Sequence, residues 1–182
     1  MTKKVLTRRD FLKTSASAAA GALILNGPER LLAGDEETRS EARVVLIRNR
    51  DVLDEDGGVR QEVLTDMMDE ALVALTGEAD AAAAWGTVAG RGDVVGIKSN
   101  QWQYLHTPKE LERTVERRLL QAGVEEGDVS TDDRGIRRNP VFKRATALIN
   151  ARPVRTHHWA GVGTLLKNYI MFVERPDHYH PD

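Results

Sequence analysis

Apolar residues along this chain fall into two periods. Arg43-Val44-Val45-Leu46-Ile47-Arg48 and Asp93-Val94-Val95-Gly96-Ile97-Lys98 are short, nearly continuous apolar runs, the pattern of strands covered on both faces. Between them, Val63, Met67, Ala71 and Leu75 recur every fourth residue with Leu64, Met68 and Leu72 beside them, which predicts a helix over 59–75 stopped by Gly77. The methionines read as core filler. A second, alanine-rich helix is expected over 79–85, and Gly90 and Gly92 break the chain before the second strand. Thr107-Pro108-Lys109-Glu110 has the form of a capping box with proline at the first helical position, and Leu111, Val115, Leu119 and Ala122 supply the buried stripe before Gly123.

Beyond that helix the pattern weakens. Val129-Ser130-Thr131 offers a short strand, Asp132-Asp133-Arg134-Gly135 a turn, Asn139-Pro140 a helix entry for 141–145, and Ala147–Ala151 a further strand. Strands alternating with helices predict an α/β fold, a mostly parallel sheet flanked by helices.

The first 34 residues stand apart. They carry six Lys/Arg and two Asp/Glu, net +4, whereas the remainder is acidic at net −6. Thr7-Arg8-Arg9-Asp10-Phe11-Leu12-Lys13 precedes an uncharged run from Thr14 to Leu25. Paired arginines, then Phe-Leu-Lys, then a short apolar stretch is the form of a twin-arginine export signal, with Arg8, Arg9, Phe11 and Leu12 as its recognition residues and the twin-arginine translocase as its partner. The expected organisation is therefore a signal helix over 1–34, a charged linker over 35–42 and one domain over 43–182. Its destination is the periplasm or cell envelope, with the leader as an anchor if it is retained, since a clean small-x-small cleavage site is missing around Ala33.

A net-acidic domain argues against general nucleic-acid binding. The chain has no cysteine, so it offers no thiolate for an iron–sulfur cluster, for zinc or for nucleophilic attack. The acidic stretch 49–58 lacks a full calcium-loop pattern and reads as a solvated loop.

Candidate chemistry gathers between Arg134 and Val173, a window without a single Asp or Glu but with Arg134, Arg137, Arg138, Lys143, Arg144, Arg152, Arg155 and Lys167. Such a run is either a solvated set of charges paired with acidic helices or a site for an anion. Placement favours the second. Arg152, Arg155, His157 and His158 follow the expected strand 147–151, at the sheet edge where open α/β folds bind ligands. Lys98 and Asn100 end an earlier strand at the same edge, with Trp102, Tyr104 and His106 in the following loop either covering the edge or touching ligand. Gly161 and Gly163 lead into Lys167-Asn168, and glycines there would free backbone N–H groups for an anion. Lys98, Arg155 and Lys167 are thus expected to hold the charge and Asn100 and Asn168 to orient the ligand. His157 or His158 would transfer protons, only one of the two facing inward. His178 and His180, in Asp-His-Tyr-His-Pro-Asp, are candidate metal ligands at a chain end.

Several of these blocks together resemble the domain-of-unknown-function family 362. They are Asp93–Asn100, the Thr107–Glu110 helix start, Ala147–Asn150, and Arg155-Thr156-His157-His158-Trp159-Ala160-Gly161 through Lys167-Asn168. The matching positions are Lys98, Asn100, His157, Gly161, Lys167 and Asn168. The resemblance implies an α/β domain. It implies redox chemistry in those relatives that carry ferredoxin-like segments, which this cysteine-free chain departs from. It also implies that the family domain continues past His180, so that this chain is expected to be a shortened, incomplete form. Three readings remain open on the sequence: an anion-binding enzyme of redox or acid/base type, a non-catalytic module that binds an envelope partner, or a truncated fragment without activity.

Overall fold

A computed structural model describes residues 42–158 and 161–179. The export leader, including Arg8, Arg9, Phe11 and Leu12, and most of the linker lie outside them, as does His180.

The order of elements is α1 (Gln61–Thr76), α2 (Ala81–Val88), β1 (Val95–Lys98), α3 (Lys109–Gln121), β2 (Val129–Asp132), α4 (Pro140–Arg144), β3 (Ala147–Asn150), β4 (Arg155–His157), β5 (Gly161–Gly163) and α5 (Leu165–Asn168). β1 is the middle strand of a three-stranded parallel sheet, with β2 and β3 on either side. The fold is therefore α/β, with helical connections between parallel strands. β1 is buried along its whole length, as its apolar run requires.

Alternation along β1 sends Val95 and Ile97 into the main core with Trp85, Val115, Leu119 and Val124, against which Met68 and Leu72 of α1 pack. Helices α1, α2 and α3 are pinned to one another by a shared carboxylate. Asp69 accepts from the Trp85 indole at 2.8 Å and from Arg118 Nε at 3.0 Å. A polar seam runs between α1 and α3, where Gln61 Nε2 donates to Thr114 at 2.6 Å and the Thr65 and Thr114 hydroxyls meet at 3.0 Å. Gly96 and Lys98 project to the opposite face. A Cβ on Gly96 would stand 2.9 Å from both Phe142 of α4 and Leu148 of β3, so the glycine lets α4 close over the strand.

Several boundaries move from the sequence expectation, and one element is absent. Residues 43–48 form no strand. Val44 and Leu46 are 89% and 72% exposed, whereas Val45 and Ile47 are half-buried. The segment is extended and one-sided, and Arg43 ties it to the end of α1 through the carbonyls of Ala74 and Leu75. A continuous apolar run reports burial without reporting a backbone partner, and the sheet places none beside this one. Thr107 is not the cap of α3, which starts two residues later. Its hydroxyl is engaged elsewhere, accepting from the Asn100 N–H at 3.1 Å and donating to the Ala151 carbonyl at 2.9 Å. It stitches the loop after β1 to the end of β3.

The acidic loop does behave as a turn. Asp54 Oδ1 accepts the N–H groups of Asp56 and Gly58 at 3.0 and 2.6 Å. Gly77 closes α1 in the left-handed region at φ 78°, donating to Val73 O at 2.8 Å. Among the described residues no helix is long and apolar enough to cross a membrane.

Candidate functional site

The C-terminal ends of the three parallel strands lie level with one another: Lys98 pairs in register with Asp132 and with Asn150. The chain leaves this edge by three loops, and the segment after β5 returns to it. Their side chains enclose a cavity of about 200 Å³. Asn100, Trp102, Asp133, Arg134, Arg152, Arg155, His157, Lys167 and Asn168 line it, with Ile170 and Met171 as its apolar wall.

Beneath the cavity is a buried ammonium. Lys98 is fully inaccessible to solvent. Its Nζ donates to the Ser99 carbonyl at 2.6 Å, to Asn168 Oδ1 at 3.2 Å and to Asp133 Oδ1 at still closer range. An ammonium has three donors, and these acceptors engage all three. Burial pushes the Lys98 pKa down, while the hydrogen bond and charge of Asp133 hold it partly up. The second oxygen of Asp133 accepts the Gln101 N–H at 2.8 Å. The carboxylate facing the cavity is thus already neutralised from behind.

Asn168 joins the ends of two strands, β1 and β3. Its amide nitrogen donates to Ser99 O at 3.1 Å and to Asn150 Oδ1 at 2.8 Å, and its oxygen accepts from Lys98 and, at 3.3 Å, from Asn100 Nδ2. At 1% exposure it is the anchor by which the C-terminal segment holds to the sheet. Ser99 donates to buried Glu112, which also accepts from Lys109 at 2.7 Å, so the first turn of α3 is fixed to the strand end.

The cations come from the far side. Arg155 donates to Asn100 Oδ1 at 2.7 Å and to Leu105 O at 3.0 Å, and its guanidinium lies 4.1 Å over the Trp102 ring. Trp102 meets Tyr104 edge-on at 4.8 Å, so the loop aromatics brace an arginine. Arg152 sits beside Gly163, where a Cβ would come within 2.7 Å of its guanidinium, and its Nε is buried without a hydrogen-bond partner. Burial lowers the pKa values of Arg152, Arg155 and Lys167. The Arg155 charge depresses Arg152 further, and the Arg152 charge depresses Lys167, while Asp133 opposes the shift at both arginines. The wall is a set of mutually repelling cations.

The residues expected from sequence are distributed as follows. Asn100, Arg155, His157, Lys167 and Asn168 meet at one cavity. Lys98 lies directly behind it, in contact with protein acceptors. His158 is exposed and lines instead a neighbouring cavity of about 530 Å³, which shares Trp102, Arg155 and His157 with the first. The Gly161-x-Gly163 pair does not open a helix. It forms β5, antiparallel to β4 with His157 opposite Gly161 and Arg155 opposite Gly163. Helix α5 is a single short turn. The glycines therefore act through space and turn geometry, Gly161 at φ 71° and Gly163 against Arg152. Around His178, and among the described residues generally, no group of three His, Asp or Glu side chains is placed to hold a metal.

Asp133, Arg152 and Arg134 complete the wall without having been singled out as ligand contacts. Asp133 follows the polar strand β2, and the signal for it was positional: residues just past neighbouring parallel strands share one edge.

A family model for the twin-arginine translocation pathway signal sequence matches residues 5–24. Comparison with curated proteins and with solved structures gave no match. The leader marks the chain as cargo of the twin-arginine translocase, which carries proteins across the membrane folded.

Proposed function

We propose that the domain is an exported α/β protein that binds a small anionic ligand at the C-terminal edge of its parallel sheet. One observation carries this reading: Arg152, Arg155 and Lys167 line a single cavity whose own carboxylate, Asp133, is paired with a buried lysine. Arginine forks suit carboxylate and phosphate oxygens, and lysine adds a point charge. Asn100 and Asn168 orient the ligand and hold the wall in place. Lys98 supports the site through Asp133 and Asn168 and makes no direct contact with the ligand. His157 is the group placed to exchange a proton with a bound molecule, which makes acid/base chemistry the enzymatic form of the reading.

A non-catalytic module is the second reading, and the engagement of Asp133 favours it. With that carboxylate tied to Lys98 and Gln101, the wall presents chiefly donors, as a binding site requires. The proposed location is the periplasm or the outer side of the membrane.

The test is thermal denaturation with inorganic phosphate and with succinate. A bound anion raises the midpoint as its concentration passes its Kd. Arg155→Gln should weaken the effect about ten- to a hundredfold in concentration, the loss expected for a charge-assisted hydrogen bond. Equal midpoints with and without both anions, in the wild type, would refute the reading. His157→Gln with unchanged anion affinity but lost turnover would select the enzyme over the module.

A further inference from the structure

We infer that the cavity takes a dianion rather than a monoanion, and specifically the headgroup of a phosphate monoester whose organic part extends into the adjoining cavity. This deepens the anion-binding reading above and rests on it.

The argument begins with charge. The groups facing the cavity are Arg134, Arg152, Arg155 and Lys167 on the cationic side, Asp133 on the anionic side, and His157. Asp133 is cancelled by Lys98 immediately behind it. Arg134, Arg152 and Arg155 by themselves leave a positive excess, and a single negative charge leaves most of it uncompensated. Mutual repulsion of partly buried cations at this spacing grows as water is excluded, so the second negative charge on a ligand is the one that relieves it.

Geometry adds to this. Arg155 is fixed from three sides by Asn100, Leu105 and Trp102. Arg152 is the contrasting case. Its Nε has no acceptor among the described residues, and Gly163 leaves its guanidinium room. A fixed fork facing an adjustable one suits a tetrahedral group with three terminal oxygens better than a planar carboxylate. The cavity of about 200 Å³ has room for the headgroup. The second cavity opens past the shared Arg155, Trp102 and His157, and Thr156 and His158 complete its lining. An ester substituent leaving the headgroup has that direction open to it, with the Trp102 ring as an apolar surface.

The experiment compares methyl phosphate with methyl sulfate by calorimetric titration of the full chain. The two have nearly the same shape, and at neutral pH they differ by one charge. The second proton of a phosphate monoester leaves near pH ~6, whereas methyl sulfate stays a monoanion throughout. The ratio of the two affinities is the readout, because below that pKa both esters are monoanions and any change in the charge of the protein acts on them alike. We expect methyl phosphate to bind at least about tenfold tighter well above that pKa, with the ratio collapsing toward one below it. Inorganic sulfate, a dianion throughout, should bind on both sides of the transition. Arg152→Gln, checked for folding by circular dichroism, should reduce the ratio. Equal binding of the two esters at all pH values would overturn the dianion assignment and leave the anion pocket standing. If none of the three probes bound, the pocket reading itself would fall, and this inference with it.

Discussion

At the residue scale, the Lys98–Asp133 pair is a buried charge that would support the proposed site from behind, without touching its ligand. Lys98 was legible as the polar end of an apolar strand. Its partner was not, because the two lie 35 residues apart and meet only when β2 aligns beside β1. Breaking such a pair strands a desolvated charge, so Asp133→Asn should destabilise the domain by about 3 kcal/mol in urea denaturation. Replacing both members with apolar residues, Lys98→Met with Asp133→Leu, should cost much less. The direction of the Lys98 shift sets a pH dependence. Its folded pKa is lowered from 10.5, so between the folded value and 10.5 the unfolded chain binds more protons than the folded one. Stability therefore rises with pH across that alkaline window, and the burial penalty is largest below it. Denaturation midpoints measured across the range should show a positive slope that is smaller in the double variant, where the lowered pKa of Lys167 alone remains of the two lysines.

At the element scale, β1, α1 and α3 were readable from hydrophobic period because their apolar faces share one core, whereas α2 was read from its alanine content and the polar strand β2 only weakly. The errors have a common cause. The run 43–48, the capping box at Thr107 and the glycine pair at 161–163 are local patterns whose outcome depends on a distant backbone partner. Thr107 had the right chemistry for a cap and found a stronger use between Asn100 and Ala151. Gly161 and Gly163 were expected to free backbone N–H groups for an anion and instead form a strand. Gly163 makes room for the Arg152 guanidinium, which is its part in the proposed anion site. Gly163→Ala should displace Arg152 and weaken phosphate affinity about tenfold, while changing stability by less than about 1.5 kcal/mol, because a flexible side chain rather than backbone must yield. Calorimetric titration beside urea denaturation would separate the two effects.

At the scale of the whole molecule, the charge asymmetry between leader and domain was the clearest feature of the sequence, and the signal match agrees with it. Export in the folded state fits a site assembled from segments as far apart as Lys98 and Asn168, which have to meet before any ligand can be held. Changing Arg8 and Arg9 together to lysine should retain the protein inside the cell, as cell fractionation would show. Export unaffected by that change would remove the twin-arginine assignment. The concentration of positive charge in 134–173 was visible in the sequence, but its direction was not, since a charge run does not say which members share a wall. Arg152, Arg155 and Lys167 do, whereas Arg144 pairs at the surface with Asp128.

The account stands most directly on where an anion settles. A crystal structure grown in phosphate should show the ion against the guanidinium groups of Arg152 and Arg155, within reach of Lys167, with Lys98 still bonded to Asp133. Phosphate found only at other surfaces, with that cavity holding water alone, would contradict it.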